Sequence, residues 1–95
     1  MTTKYIDYED FMNFIAFRIK YYRESKGMSA YELSLQLGLN TSYISKIENR
    51  RGNPSLETVY NICDIFHISI NEFLNTNIAY PNELNNLIET GVLQK

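Results

Sequence analysis

Between Ser29 and Arg51 the chain reads SAYELSLQLGLNTSYISKIENRR. Its second half gathers small hydroxyls, one phenol, one lysine, a carboxamide and two arginines within eleven residues, Thr41 to Arg51. Wound as a helix at about 100° per residue, Ile44 and Ile47 point one way and Ser42, Lys46 and Asn49 the other. Tyr43 and Ser45 flank that polar side, and Thr41 sits at its amino-terminal tip. Such a face is narrow and can both donate and accept hydrogen bonds. It suits the base edges on the floor of a duplex major groove, about 12 Å wide, which admits a helix about 10–12 Å across. Thr41, Ser42, Tyr43, Ser45 and Lys46 are therefore the candidate base readers. Lys46 has the reach for a guanine edge, and the Thr41 methyl for a thymine methyl. Asn40 before the helix, and Asn49, Arg50 and Arg51 after it, suit the flanking phosphates. So do Ser29, Ala30 and Tyr31, which open the preceding helix where free amides and a positive dipole end favour an anion. Phosphate contacts fix register, and base contacts carry sequence preference.

The elements that must hold this face are legible from spacing. Phe11, Phe14, Ile15, Ile19 and Tyr22 recur at three- and four-residue steps and predict a helix over about 8–25, stopped at Gly27. Ser29 and Glu32 form a capping box that starts a second helix, ended at Gly38 after about eight residues. A helix so short is not stable alone and must pack on the next across a tight turn, the helix-turn-helix arrangement. Ser34 is small enough to let the two helices approach. Asn40 is the expected cap of the third helix. Ser55 caps a fourth, in which Leu56, Val59, Tyr60, Ile62, Cys63 and Phe66 form a broad apolar stripe. Ser69 and Glu72 box a short fifth helix containing Phe73 and Leu74. Asn75 to Tyr80 reads as a linker, and Pro81 opens a last helix with Leu84, Leu87 and Ile88 on one side.

Ninety-five residues make one small domain, and 44% hydrophobic with 21% charged residues makes it globular rather than disordered. One cysteine and one histidine exclude an internal disulfide and a zinc site. No metal or cofactor is expected. Cys63 reads as a small core residue, and His67 as the end of a helix. No nucleophile–base pair, phosphate-cradling glycine loop or carboxylate pair is recognisable, so an enzyme is not expected. The start has no apolar signal core and no run spans a membrane, so a cytoplasmic location is expected. The net charge of −2 conceals an asymmetry. Residues 18–55 carry Arg18, Lys20, Arg23, Lys26, Lys46, Arg50 and Arg51 against three glutamates, whereas residues 56–95 carry five acids against Lys95. An acidic molecule can thus present one basic face, and the local potential decides phosphate binding.

These pieces together resemble the Cro/repressor-type, XRE-like helix-turn-helix regulators. The resemblance runs from about Ile15 to Leu74. It rests on Arg18-Ile19-Lys20, Tyr22-Arg23, Gly27-Met28-Ser29, Glu32-Leu33-Ser34, Leu37-Gly38-Leu39, Ser42 to Glu48, Asn53-Pro54-Ser55-Leu56 and Ile68 to Leu74. It implies an all-α fold, a five-helix repressor-like bundle whose third helix reads the groove, here with an extra C-terminal helix. It also implies a structural ion pair between Arg23 and Glu48. Where many members carry a phosphate-contacting glutamine, this chain has Ala30.

The expected organisation is an N-terminal extension (1–10), a helix-turn-helix domain (11–74, motif 29–48) and a C-terminal linker and short helix (75–95). The expected function is a sequence-specific double-stranded DNA-binding transcriptional regulator, a repressor, acting as a homodimer on a near-palindromic operator. Leu84, Leu87 and Ile88 are the candidate dimer contacts, with Tyr5, Tyr8 and Tyr80 as further partner-surface residues. The alternative is a protein-interaction module, an anti-repressor or antitoxin, that keeps the fold with weak or no DNA binding.

Overall fold

A computed structural model describes residues 7–75, all of whose regular elements are helices. They are α1 (Tyr8–Ser25), α2 (Ala30–Gln36), α3 (Tyr43–Glu48), α4 (Leu56–Phe66) and α5 (Ile70–Phe73). The stripe Leu84, Leu87 and Ile88, together with Tyr5 and Tyr80, lies outside the described residues.

Side chains start three of these helices. The hydroxyls of Ser29, Ser55 and Ser69 accept from the amides of Glu32, Thr58 and Glu72, and Ser29 with Glu32 completes a capping box. Each cap satisfies an amide that the first turn leaves without a partner. The first four helices all end in the same way, with the chain turning through a left-handed residue. Gly27 and Gly38 do this after α1 and α2, and Arg50 and His67 after α3 and α4. Only glycine adopts that conformation without steric penalty, so the arginine and the histidine need another reason to be there.

The core gathers Phe14, Ile15, Ile19 and Tyr22 of α1 with Leu33, Ile44, Ile47, Ile62, Cys63, Phe66 and Phe73. Here α2 packs chiefly on α3, α1 on α3 and α4, and α4 on α5. Three expectations are corrected. First, α1 is not buried along one face only. Met12, Ala16 and Phe17 are buried too, so the helix is enclosed around its circumference from Met12 to Ile19. Apolar residues there lie beyond the single stripe, and Asn13 and Arg18 are buried among them, which a search for one stripe overlooks. Second, Leu56 and Tyr60 do not join the α4 stripe; they are 89% and 63% exposed. At about 100° per residue, the buried arc runs through Thr58, Ile62 and Phe66 to Cys63, and both residues fall beyond its edge. Third, α3 begins at Tyr43, not directly after Asn40. Asn40 caps the turn that leads into it: its carboxamide oxygen accepts from the Ser42 amide at 2.9 Å and the Ser42 hydroxyl at 2.7 Å.

Candidate nucleic-acid interface

Six residues make α3, too few to be helical alone, so its placement is a matter of what it is pinned to. Ile44 and Ile47 are buried at 0% and 3% exposure and fix its inner side. Ser34, fully buried on α2, supplies the polar pin. Its hydroxyl donates to the Ala30 carbonyl at 2.9 Å and accepts from the Ile44 amide at 3.0 Å. A first-turn amide of α3 thus finds its partner on α2. Spacing suggests that Ser34 is small; it does not reveal that its oxygen is used.

A second pin crosses from α1. Arg23 donates from Nε and Nη2 to the two Glu48 carboxylate oxygens, both at 2.8 Å, and from Nη1 to the Met28 carbonyl at 2.8 Å. Both side chains are nearly enclosed. The bond to Glu48 raises the Arg23 pKa further above its ordinary value. Glu48 is the only acidic residue between Glu32 and Glu57, and this pairing takes its charge off the outer surface of α3.

What remains outward is short and polar. Thr41, Lys46, Asn49 and Arg51 are exposed; Ser42, Tyr43 and Ser45 are half-buried, with the Tyr43 ring packed against the core. Several of these groups already have partners. The Ser42 hydroxyl leans on Asn40, and the Asn49 amide donates to the Ser45 carbonyl at 2.8 Å. Ser29 and Glu32 are absorbed in the capping box, which also sets the Glu32 carboxylate at the start of α2. The Ala30 and Tyr31 amides are left as first-turn donors with no carbonyl a turn behind them, and Tyr31 is exposed.

Two of the seven bases between 18 and 55 do not face outward as expected. Arg18 is 1% exposed. Its guanidinium donates to the α5 carbonyls of Phe73 at 2.9 Å and Glu72 at 2.6 Å, and to the Tyr22 hydroxyl at 2.9 Å. It also lies over the Tyr22 ring, 4.9 Å from the centroid. Tyr22 in turn donates to Glu72 at 2.9 Å, and burial with that bond pushes the phenol up to about 12. An amphipathic reading of α1 gives no sign of this buried cation. Arg50, the expected phosphate ligand, reaches back to α1. It pairs with Glu9 at 3.1 Å and donates to the Asn13 side-chain carbonyl. With Arg18 buried, Arg23 tied to Glu48 and Arg50 to Glu9, the remaining bases of this region are Lys20, Lys26, Lys46 and Arg51.

Among the described residues, no helix is long and apolar enough to cross a membrane. Cys63 is buried, and burial raises its thiol pKa.

This geometry has known counterparts. The Helix-turn-helix family model matches residues 19–73, which contain every element from the last turns of α1 to α5. The HTH-type transcriptional regulator SinR of Bacillus licheniformis is 39% identical over 59 residues, covering 61% of this chain and 53% of that protein. The chain thus spans about half the length of the curated relatives it matches. A hypothetical transcription factor from Neisseria, known from its crystal structure, superposes with a TM-score of 0.65 at 25% identity, covering 92% of this chain and 95% of that one. The structure of the SinR–SinI protein complex contains a chain that superposes with a TM-score of 0.59 at 30% identity, covering 82% of this chain and 78% of the other.

Proposed function

Because the chain belongs to the XRE-like helix-turn-helix family, we propose that it is a double-stranded DNA-binding transcriptional regulator, a repressor, that lays α3 in the major groove. One observation carries this reading. The outer side of α3 and the turn that leads into it offer Thr41, Ser42, Ser45 and Lys46 with no competing carboxylate, since Arg23 holds Glu48 on the inner side. Lys46 and the Thr41–Tyr43 turn read base edges, with Tyr43 and Ser45 at the margin. Asn40, Asn49 and Arg51 hold phosphates on either side, together with the first-turn amides of α2 at Ala30 and Tyr31, the Ser29 amide being spent on Glu32. With few free bases the electrostatic term is small. Non-specific affinity is then modest, and specificity rests on a handful of groove contacts.

A single domain of this kind meets one half-site. Two copies, joined through Leu84, Leu87 and Ile88, would demand a near-palindromic operator. Sedimentation of a chain ending at Leu74 tests this part: it is expected to run at a lower association state than the full chain, and equal states count against that contact. Gel shift against the promoter region upstream of the chain's own reading frame, at two salt concentrations, tests the main reading. A specific complex that weakens with salt is expected. No complex at low salt would overturn it.

One observation favours the second reading, a protein-interaction module. Tyr8, Leu56 and Tyr60 are exposed at 58%, 89% and 63%, and a groove of about 200 Å³ beside Tyr8 and Leu56 is lined by Phe11, Ile15, Val59 and Leu74. Large apolar side chains left together at a surface mark contact sites for other proteins. Under this reading Leu56→Ser abolishes partner binding and Lys46→Ala leaves it intact.

A further inference from the structure

Arg50 stands where the chain leaves α3, and its side chain is turned back onto α1, whereas Lys46 and Arg51 are exposed. Its backbone takes the left-handed conformation, φ 60°, which an arginine occupies only against steric resistance. The turn itself is well made without the side chain. The Arg50 amide donates to the Ile47 carbonyl at 3.1 Å and the Arg51 amide to the Lys46 carbonyl at 2.8 Å, the pairing that closes a helix around a C-terminal glycine. Glycine would serve this turn better, so the arginine is there for what its guanidinium does.

The guanidinium docks on the first two turns of α1. Nη2 donates to the Glu9 carboxylate at 3.1 Å, and Nη1 to the Asn13 side-chain carbonyl and, at 3.5 Å, to the Glu9 backbone carbonyl. Asn13 is a carboxamide buried to 8% exposure on α1, and the described partner of its carbonyl is Arg50. A second tie lies beside the first: the Asn53 amide donates to the Tyr8 hydroxyl at 3.1 Å. Both ends of the loop from Arg50 to Asn53 are thus fastened to α1. The α1 residues involved, Tyr8, Glu9 and Asn13, all precede residue 19, where the family match begins.

We propose that Arg50 is a positioning residue and not a phosphate ligand. Clamped to Glu9 and Asn13, it fixes the loop so that Arg51 and Asn49 are presented to the backbone of the duplex. The N-terminal turns of α1 are therefore part of the DNA-binding apparatus without touching DNA. This inference rests on the DNA-binding reading above.

The two roles of Arg50 give opposite signs for Glu9→Ala and different salt slopes for Arg50→Gly. The probe is a duplex recovered from a randomised pool by the full chain, with affinity measured across a salt series. A phosphate ligand contributes about 0.9 to the slope of log K against log salt, as Arg51→Ala is expected to show by its loss. As a clamp, Arg50→Gly lowers affinity several-fold and leaves the slope unchanged, because Arg51 on the loosened loop still reaches its phosphate but must be ordered to do so. Glu9→Ala and Asn13→Ala do likewise, because each loosens the same loop. If Arg50 instead bound phosphate in competition with Glu9, then Arg50→Gly would flatten the slope by about 0.9 and Glu9→Ala would tighten binding; either result overturns the proposal. Amide exchange on the free protein keeps the two readings apart should the wild type bind no duplex. In Glu9→Ala the Arg50 and Arg51 amides are expected to exchange faster than in the wild type while those of α4 are unchanged. Equal exchange rates at the loop refute the clamp whatever the DNA result.

Discussion

Replacing Ser34 with alanine removes one oxygen from the α2–α3 contact and changes little else. The side chain is fully buried, so the surface is unaltered. The hydroxyl's donated bond to Ala30 is expendable, because that carbonyl lies one turn back in the same helix and keeps its backbone partner. The accepted bond is not: the Ile44 amide, 3.0 Å away on α3, would be left buried with no acceptor. A buried amide without a partner costs about 1–3 kcal/mol. We therefore expect Ser34→Ala to destabilise by about 2 kcal/mol. In a domain of this size that is a fall in Tm of roughly 8–16 °C, at about 4–8 °C per kcal/mol. Thermal and urea unfolding followed by circular dichroism would measure it. Ser25→Ala is the control, since Ser25 bonds the Tyr22 carbonyl from an exposed position; its loss should stay within about 0.5 kcal/mol. If Ser34→Ala also stayed within that range, α3 is not pinned through this hydroxyl and the argument from Ser34 to groove geometry fails.

Glu48→Ala strands the Arg23 guanidinium between α1 and α3. It should cost roughly 2–3 kcal/mol, less than a fully enclosed pair, and Arg23→Met with Glu48→Leu should cost less than Glu48→Ala alone by denaturant unfolding. Tyr22 is protonated in the fold up to about pH 12 against its ordinary 10, so its contribution to stability is intact below pH 10 and is lost between pH 10 and about 12. Ultraviolet titration should show one late-ionising phenol that Tyr22→Phe removes; no such phenol would contradict the Arg18–Tyr22–Glu72 network. Lys46→Ala should weaken the specific duplex by about 1–3 kcal/mol and change sequence preference on reselection, whereas Arg51→Ala should weaken all duplexes alike. Uniform loss with both would make Lys46 a backbone contact.

Much of this molecule can be read before folding. Glycines at 27 and 38 with serines at 29, 55 and 69 mark helix ends through local chemistry, which needs no knowledge of neighbours. Ile44 and Ile47 then orient α3, since a six-residue helix with two large apolar residues has one way to bury them. The failures are of another kind. Arg18 and Arg50 are both basic residues in a basic stretch, and their charge says nothing of whether a carbonyl or a carboxylate elsewhere in the chain will take them inside. Their partners, Glu72 and Phe73 for one and Glu9 and Asn13 for the other, lie about 40–55 residues away in sequence. Leu56 shows the converse: its type predicts burial, and only the position of the α4 arc relative to α1 leaves it outside. The base-reading residues stand between these cases, placed on one side by helical period but given their freedom by the Arg23–Glu48 pair.

The most direct test of the account is to titrate the isotope-labelled full chain with a duplex selected from a randomised pool and follow its amide resonances. The largest shifts are expected from Thr41 to Arg51 and at Ala30 and Tyr31, with α4 and α5 little changed. Shifts centred on Tyr8, Leu56 and Tyr60, with Thr41 to Lys46 unmoved, would contradict the assignment of α3 as the surface that meets DNA.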